Sequence, residues 1–127
     1  MLRIHSTPDC GNAPRKEVLR DLVIALAERD GETVSALVAE GVVWNQVGVS
    51  ASDGREAVRG WAAAGPEVEE LSFGALITHG REASVDGTLE LTDGTRHAFC
   101  HVLRFAGAAR TAKIVEIRSY VLPLARS

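Results

Sequence analysis

The sequence predicts an α+β domain in which three N-terminal helices pack on one face of a mostly antiparallel sheet. Three observations carry this expectation. Over the first half of the chain, apolar residues recur at three- and four-residue steps, the period of a helix stripe. From Glu70 onward they recur at every second position, the period of a strand with one buried face. No charge run, repeat or low-complexity segment separates the two halves, so helices and strands share one core.

The helical half opens at Pro14, which suits a first turn because its missing N–H would be unpaired there anyway. Val18, Leu19, Leu22, Val23 and Leu26 form the stripe, and Asp30 with Gly31 is read as its end. Val34, Leu37 and Val38 mark a second, shorter helix that Gly41 stops, which makes a helical hairpin. Val42 to Val47 is a short strand with Val42, Trp44 and Gln46 on one face, and Gly48 to Ser52 is a loop. Asp53, followed three residues later by Glu56, has the spacing of a capping box for a third helix. That helix carries Ala57, Val58, Trp61 and Ala62, and Gly65 and Pro66 terminate it.

In the strand half, Leu71, Phe73, Ala75 and Ile77 alternate with polar or small residues up to a turn at His79 and Gly80. Ala83, Val85, Gly87, Leu89 and Leu91 do the same, and Asp93 with Gly94 is a strong hairpin signal. The next strand, Thr95 to Phe105, alternates most cleanly. His97, Phe99, His101, Leu103 and Phe105 share one side. The last strand, Ile114 to Leu122, sets Val115, Ile117, Ser119 and Val121 against Ile114, Glu116, Arg118 and Tyr120.

With 127 residues, 46% of them hydrophobic, the chain reads as one domain over residues 14–122, an N-terminal tail at 1–13 and a C-terminal tail at 123–127. A net charge of -3 and the absence of a Lys and Arg cluster argue against nucleic-acid binding. No apolar run reaches membrane-spanning length, so no membrane partner is expected and the reading is a cytoplasmic protein. The two cysteines, Cys10 and Cys100, make neither a metal-ligand spacing nor a disulfide framework. Cys100 and His101 are neighbours in a strand and point to opposite faces, a poor geometry for a nucleophile and its base.

The order helix, helix, short strand, helix and four strands resembles the nuclear transport factor 2-like superfamily, in its polyketide-cyclase (SnoaL-like) branch. The segments Ala39 to Trp44, Asp53 to Val58 and Lys113 to Tyr120 carry the resemblance, which spans roughly Pro14 to Leu122. It implies a strongly curved sheet that forms a cone with an apolar pocket, a homodimer through the outer sheet face, no cofactor, and a reaction type that the fold alone does not select. Around Ala39 to Val58 the chain is similar to limonene epoxide hydrolase. That comparison puts Trp44 and Gln46 where a water-positioning Tyr and Asn would stand, and Ser119 where an aspartate would. A serine is no carboxylate base at neutral pH. The Arg and Asp pair of that enzyme falls in the strand Ala83 to Leu91, where one register selects Ser84 and Asp86.

The residues therefore nominate His97, His101 and Asp86 for acid-base chemistry, and Trp44, Gln46, Phe99, Ile117, Ser119 and Val121 for ligand contact. Imidazole titrates near neutral pH and is tuned by burial. The competing reading for each histidine is a core side chain bonded to a neighbour. Alternation turns Asp86 outward unless a bulge near Gly87 switches the faces. If odd positions pair with odd, Ser119 lies opposite or diagonal to His97 or Phe99, and a contact between His97 and Ser119 is expected. The two histidines lie roughly 13 Å apart along the strand, too far to share a zinc ion that needs ligands at about 2 Å, so no metal is expected. The expected function is binding of a small, mostly apolar molecule, with cofactor-independent isomerisation, cyclisation or dehydration as the candidate chemistry. The alternative is a ligand-binding or interaction domain without turnover.

Overall fold

The computed structural model describes residues 2–6 and 14–125. Helix α1, Pro14–Ala27, buries the predicted stripe of Leu19, Leu22 and Val23 together with Ala25 and Ala27. Its end corrects the sequence reading. Asp30 N–H bonds the carbonyl of Ala25 and Arg29 N–H that of Leu26, and Arg29 takes the left-handed conformation (φ 57°). This is a Schellman closure with arginine where glycine was expected.

Gly31 instead starts α2, Gly31–Leu37, capped by Asp30, whose carboxylate accepts from Thr33 N at 3.1 Å and from Thr33 Oγ1 at 2.6 Å. Those bonds hold the Asp30 carboxyl below its ordinary pKa. Glycine is needed at 31 because a Cβ would come within 2.6 Å of the Arg59 carbonyl. The start of α2 therefore lies directly against the backbone at Arg59.

The chain runs from α2 straight into strand β2, Val38–Gln46, so Gly41 lies inside a strand at a register irregularity and stops no helix. Val42, Trp44 and Gln46 are all buried, as their shared face required. The expected loop contains β3, Ser50–Asp53, which folds back on β2 with Gln46 opposite Ser50. Asp53 is held in that pairing opposite Val43, so the residue before α3, Arg55–Ala63, is Gly54, and no side chain among the described residues caps this helix.

Four long strands follow: β4, Val68–His79; β5, Glu82–Leu91; β6, Arg96–Phe105; and β7, Ile114–Pro123. They form an antiparallel meander. Beside it stand two parallel pairings, β2 against β7 and the short β1, Arg3–His5, against β4. The sheet is therefore mixed, with seven strands among the described residues in the order β1-β4-β5-β6-β7-β2-β3. The strand β1 lies at the sheet edge beside β4, where Arg3 pairs with Glu70 at 3.0 Å.

Two bulges shift faces that simple alternation assigned. In β4 the register slips between Phe73 and Leu76, leaving Ala75 and Ile77 exposed. Between β6 and β7 it slips at Arg104 and Phe105, which turns Ile114 into the core. One cluster of buried side chains joins α1 to the sheet, from Leu19 and Leu22 through Leu71 and Leu103 to Ile117.

Candidate functional site

Strand β6 supplies the central wall of the site. Its pleat sends His97, Phe99 and His101 to the helix-covered face, with the Phe99 and His101 rings 5.3 Å apart. Val23, Leu26 and Ala27 of α1 close the opposite side. Trp61 of α3 and the turn residues Val47 and Val49 stand at the rim, all three exposed and Val49 most of all. Together with Gln46, Leu71, Leu89, Ser119 and Val121, these side chains enclose a cavity of about 300 Å³. The lining is apolar except for a few nitrogen and oxygen atoms, the ordinary make-up of a small-molecule site.

Those polar atoms lie in a row dictated by sheet register. Gln46 of β2 pairs with Ser119 of β7, and Ser119 pairs with His101 of β6. The three side chains therefore stand side by side across three adjacent strands. Ser119 Oγ lies 2.6 Å from His101 Nδ1 and accepts the Trp44 indole N–H at 2.7 Å. Gln46 Oε1 accepts from Ser50 at 2.8 Å, while Gln46 Nε2 is buried without a partner among the described residues. His97 Nδ1 is likewise buried, with no partner among the described residues.

Burial pushes the His101 pKa down from 6.5 to about 4, because desolvation disfavours the imidazolium. At neutral pH this ring is uncharged. With Nδ1 engaged by Ser119, Nε2 is the ring nitrogen left for a ligand. Among the described residues, no three His, Cys, Asp or Glu side chains come together as a metal site.

Of the nominated residues, the structure brings His97, His101, Gln46, Phe99, Ser119 and Val121 to one cavity. Trp44 and Ile117 are fully buried in the core and do not line it; Trp44 meets the site from behind, through its bond to Ser119 and through ring contacts with His101 (centroids 6.2 Å apart) and Trp61 (5.0 Å). Asp86 stays on the opposite face, exposed, its Oδ1 accepting Ala75 N–H at 2.7 Å beside the β4 bulge. It has no access to the cavity. The expected partner of Ser119 was His97; the observed one is His101, because β7 is set so that His97 faces Pro123. The odd-with-odd parity holds, four residues further along β6. Unforeseen lining residues are Val23, Leu26, Leu89 and Trp61, whose periodic signal is the same whether they face a core or a cavity.

No protein-family model matches the chain, and no curated protein matches it. Solved structures do match. A nuclear transport factor 2-like protein of unknown function from Mesorhizobium loti superposes with a TM-score of 0.68 at 22% identity, over 92% of this chain and 98% of its own. An epoxide hydrolase from M. tuberculosis, similar to limonene epoxide hydrolase, does so with 0.68 at 18% identity, over 84% and 77%. SalBIII, an epoxide hydrolase/cyclase-like enzyme of pyran ring formation in the polyether salinomycin, matches with 0.67 at 21% identity, over 84% and 89%. The helix-strand order, the seven-stranded mixed sheet and these superpositions together establish that the chain has the nuclear transport factor 2-like fold.

Proposed function

We propose that this protein binds a small, mostly apolar molecule in the cavity between α1, α3 and the sheet, and that any chemistry it performs there is cofactor-independent proton transfer. The observation that carries the reading is the combination of apolar walls with buried, unpartnered nitrogens on Gln46 and His97 beside the His101 imidazole. A buried N–H or ring nitrogen without a partner is costly unless something else satisfies it. In a cavity of this size, a ligand heteroatom is the natural partner.

His97 is the candidate base, because it lies toward the hairpin end of β6 and its Nδ1 has no protein partner. His101, neutral well into acid, is the candidate hydrogen-bonding group. The fold's epoxide hydrolase and cyclase representatives make cyclisation and epoxide opening the reactions to assay first. The outward position of Asp86 and the absence of any carboxylate among the lining residues favour the second reading, a binding domain without turnover.

The test is an NMR titration of the four histidine rings against hydrophobic ketones, epoxides and polyphenols, with His97→Ala and His101→Ala for assignment. Ligand-dependent shifts at His97 and His101, with exposed His5 and His79 as silent controls, support the reading. Shifts absent at both rings across the whole panel end it. Turnover of a binding compound, lost in His97→Ala, separates enzyme from binding domain.

We further propose that two copies associate through the outer sheet face, where Tyr120 and Leu122 of β7 are exposed beside Cys100 and Ala98 of β6. Sedimentation of Leu122→Asp is the check: the dimer mass falls to the monomer mass, whereas a monomeric wild type removes the proposal.

A further inference from the structure

Ser119 Oγ is buried and makes two contacts whose roles are not interchangeable. Indole N–H only donates, so toward Trp44 the hydroxyl is an acceptor. Its single proton is then left for one other direction. Among the described residues the other contact of Oγ is His101 Nδ1, at 2.6 Å. If Nδ1 also carried a proton, two donors would point at one oxygen and the hydroxyl proton would be left without a protein acceptor among the described residues, a loss of the kind buried groups avoid. The arrangement that satisfies Trp44 Nε1, Ser119 Oγ and His101 Nδ1 together runs one way: Trp44 N–H to Ser119 Oγ, and Ser119 O–H to His101 Nδ1.

We propose that Trp44 and Ser119 lock His101 in the tautomer that carries its proton on Nε2, so that His101 and Gln46 present two N–H donors to the oxygen end of an otherwise apolar ligand. Gln46 belongs to the same lateral row, one strand from Ser119 on the other side, and its Nε2 is buried and unclaimed. Ser50 holds the amide by its oxygen, which leaves the donor end for the ligand. Trp44 is accordingly a positioning residue. It sets the tautomer through Ser119, packs edge-on against the His101 ring, and does not line the cavity. The ligand class follows from the donors: an apolar skeleton bearing a carbonyl, ether or epoxide oxygen. A primary ammonium or any group that only donates is rejected at this end. The inference rests on the cavity being a ligand site and narrows what that site accepts.

Two measurements test it. Long-range proton–nitrogen NMR of the histidine rings reads the tautomer with no ligand present. His101 is expected with a protonated Nε2 and a bare Nδ1 in the wild type, and with a growing Nδ1–H population in Ser119→Ala and Trp44→Phe. A wild-type ring protonated at Nδ1 overturns the lock, and an unchanged tautomer in Trp44→Phe removes Trp44 from it. The second measurement compares cyclohexanone with methylenecyclohexane, which have the same shape but differ in the acceptor. A preference for the ketone of about tenfold is expected, the size of one to two net hydrogen bonds, and it shrinks in Gln46→Leu. Equal binding of the two sinks the donor pair and leaves the cavity reading standing. Binding of neither sinks the cavity reading and the donor pair with it.

Discussion

At the scale of single residues, His101 ties the fold to pH. Its ring titrates near 6.5 when solvated and at about 4 when folded, because burial penalises the charged form. As pH falls below 6.5, the unfolded chain takes up a proton that the folded chain refuses, so the unfolded state gains. The contribution is complete above about 6.5, declines toward 4, and falls no further once both states are protonated. A gap of that size corresponds to about 3 kcal/mol. Urea unfolding from pH 7.5 to 3.5 is therefore expected to show the stability difference between wild type and His101→Leu shrinking through that window. A difference flat with pH contradicts the assignment. The ring's face was legible in advance, since the alternation of His97, Phe99 and His101 is a local property of β6. Its partner was not. The hydrogen bond to Ser119 depends on how β7 slides against β6, and a bulge at Arg104 and Phe105 contributes to that offset without leaving a mark in composition.

At the scale of elements, the β4 bulge decides what Asp86 does. The slip between Phe73 and Leu76 takes Ala75 out of the ladder with β5, and its N–H is bound by the Asp86 carboxylate instead. Asp86→Ala is expected to cost about 1 kcal/mol or less at this exposed site, and to leave ligand-induced shifts at His97 and His101 unchanged. Loss of those shifts would return Asp86 to the site. The next residue behaves differently. A Cβ on Gly87 would collide with the Ser72 carbonyl and approach Phe99 Cζ to 2.9 Å, so backbone on one side and the cavity wall on the other both resist. Gly87→Ala is expected to cost about 2–3 kcal/mol in chemical denaturation, well beyond Asp86→Ala. Hairpins were the readable elements, because the Asp93 and Gly94 turn is local chemistry, with Asp93 accepting from Thr95 N at 2.9 Å and Gly94 at φ 88°. The strand β3 was read as loop because Ser50 to Asp53 lack alternating apolar residues; they form a strand through pairing with β2 at the sheet edge.

For the whole molecule, the layers were legible and the closing contacts were not. The parallel pairings of β2 with β7 and β1 with β4 join segments far apart in sequence, which no local period encodes. Arg15 shows the same limit. In the first turn of α1 a charged residue reads as solvent-facing, yet this one is 8% exposed. Its guanidinium lies 4.2 Å from the centre of the Phe105 ring and donates to Gly80 O at 2.7 Å, Gly107 O at 3.2 Å and Ala109 O at 2.6 Å. One side chain thus binds the start of the helical layer to the β4–β5 turn and to the β6–β7 connection. Arg15→Met keeps much of the volume but removes the fork, and is expected to lower stability by about 2 kcal/mol or more, since these are bonds to a charged donor. Arg15→Lys recovers only part of that, because an ammonium cannot span three carbonyls in one plane while lying flat on an aromatic ring. Hydrogen exchange separates this from a general weakening. In Arg15→Met, amides of residues 80–82 and 105–113 are expected to lose protection more than those of α3 and β2. Uniform loss across the sheet would mean that Arg15 contributes through burial alone and ties nothing together.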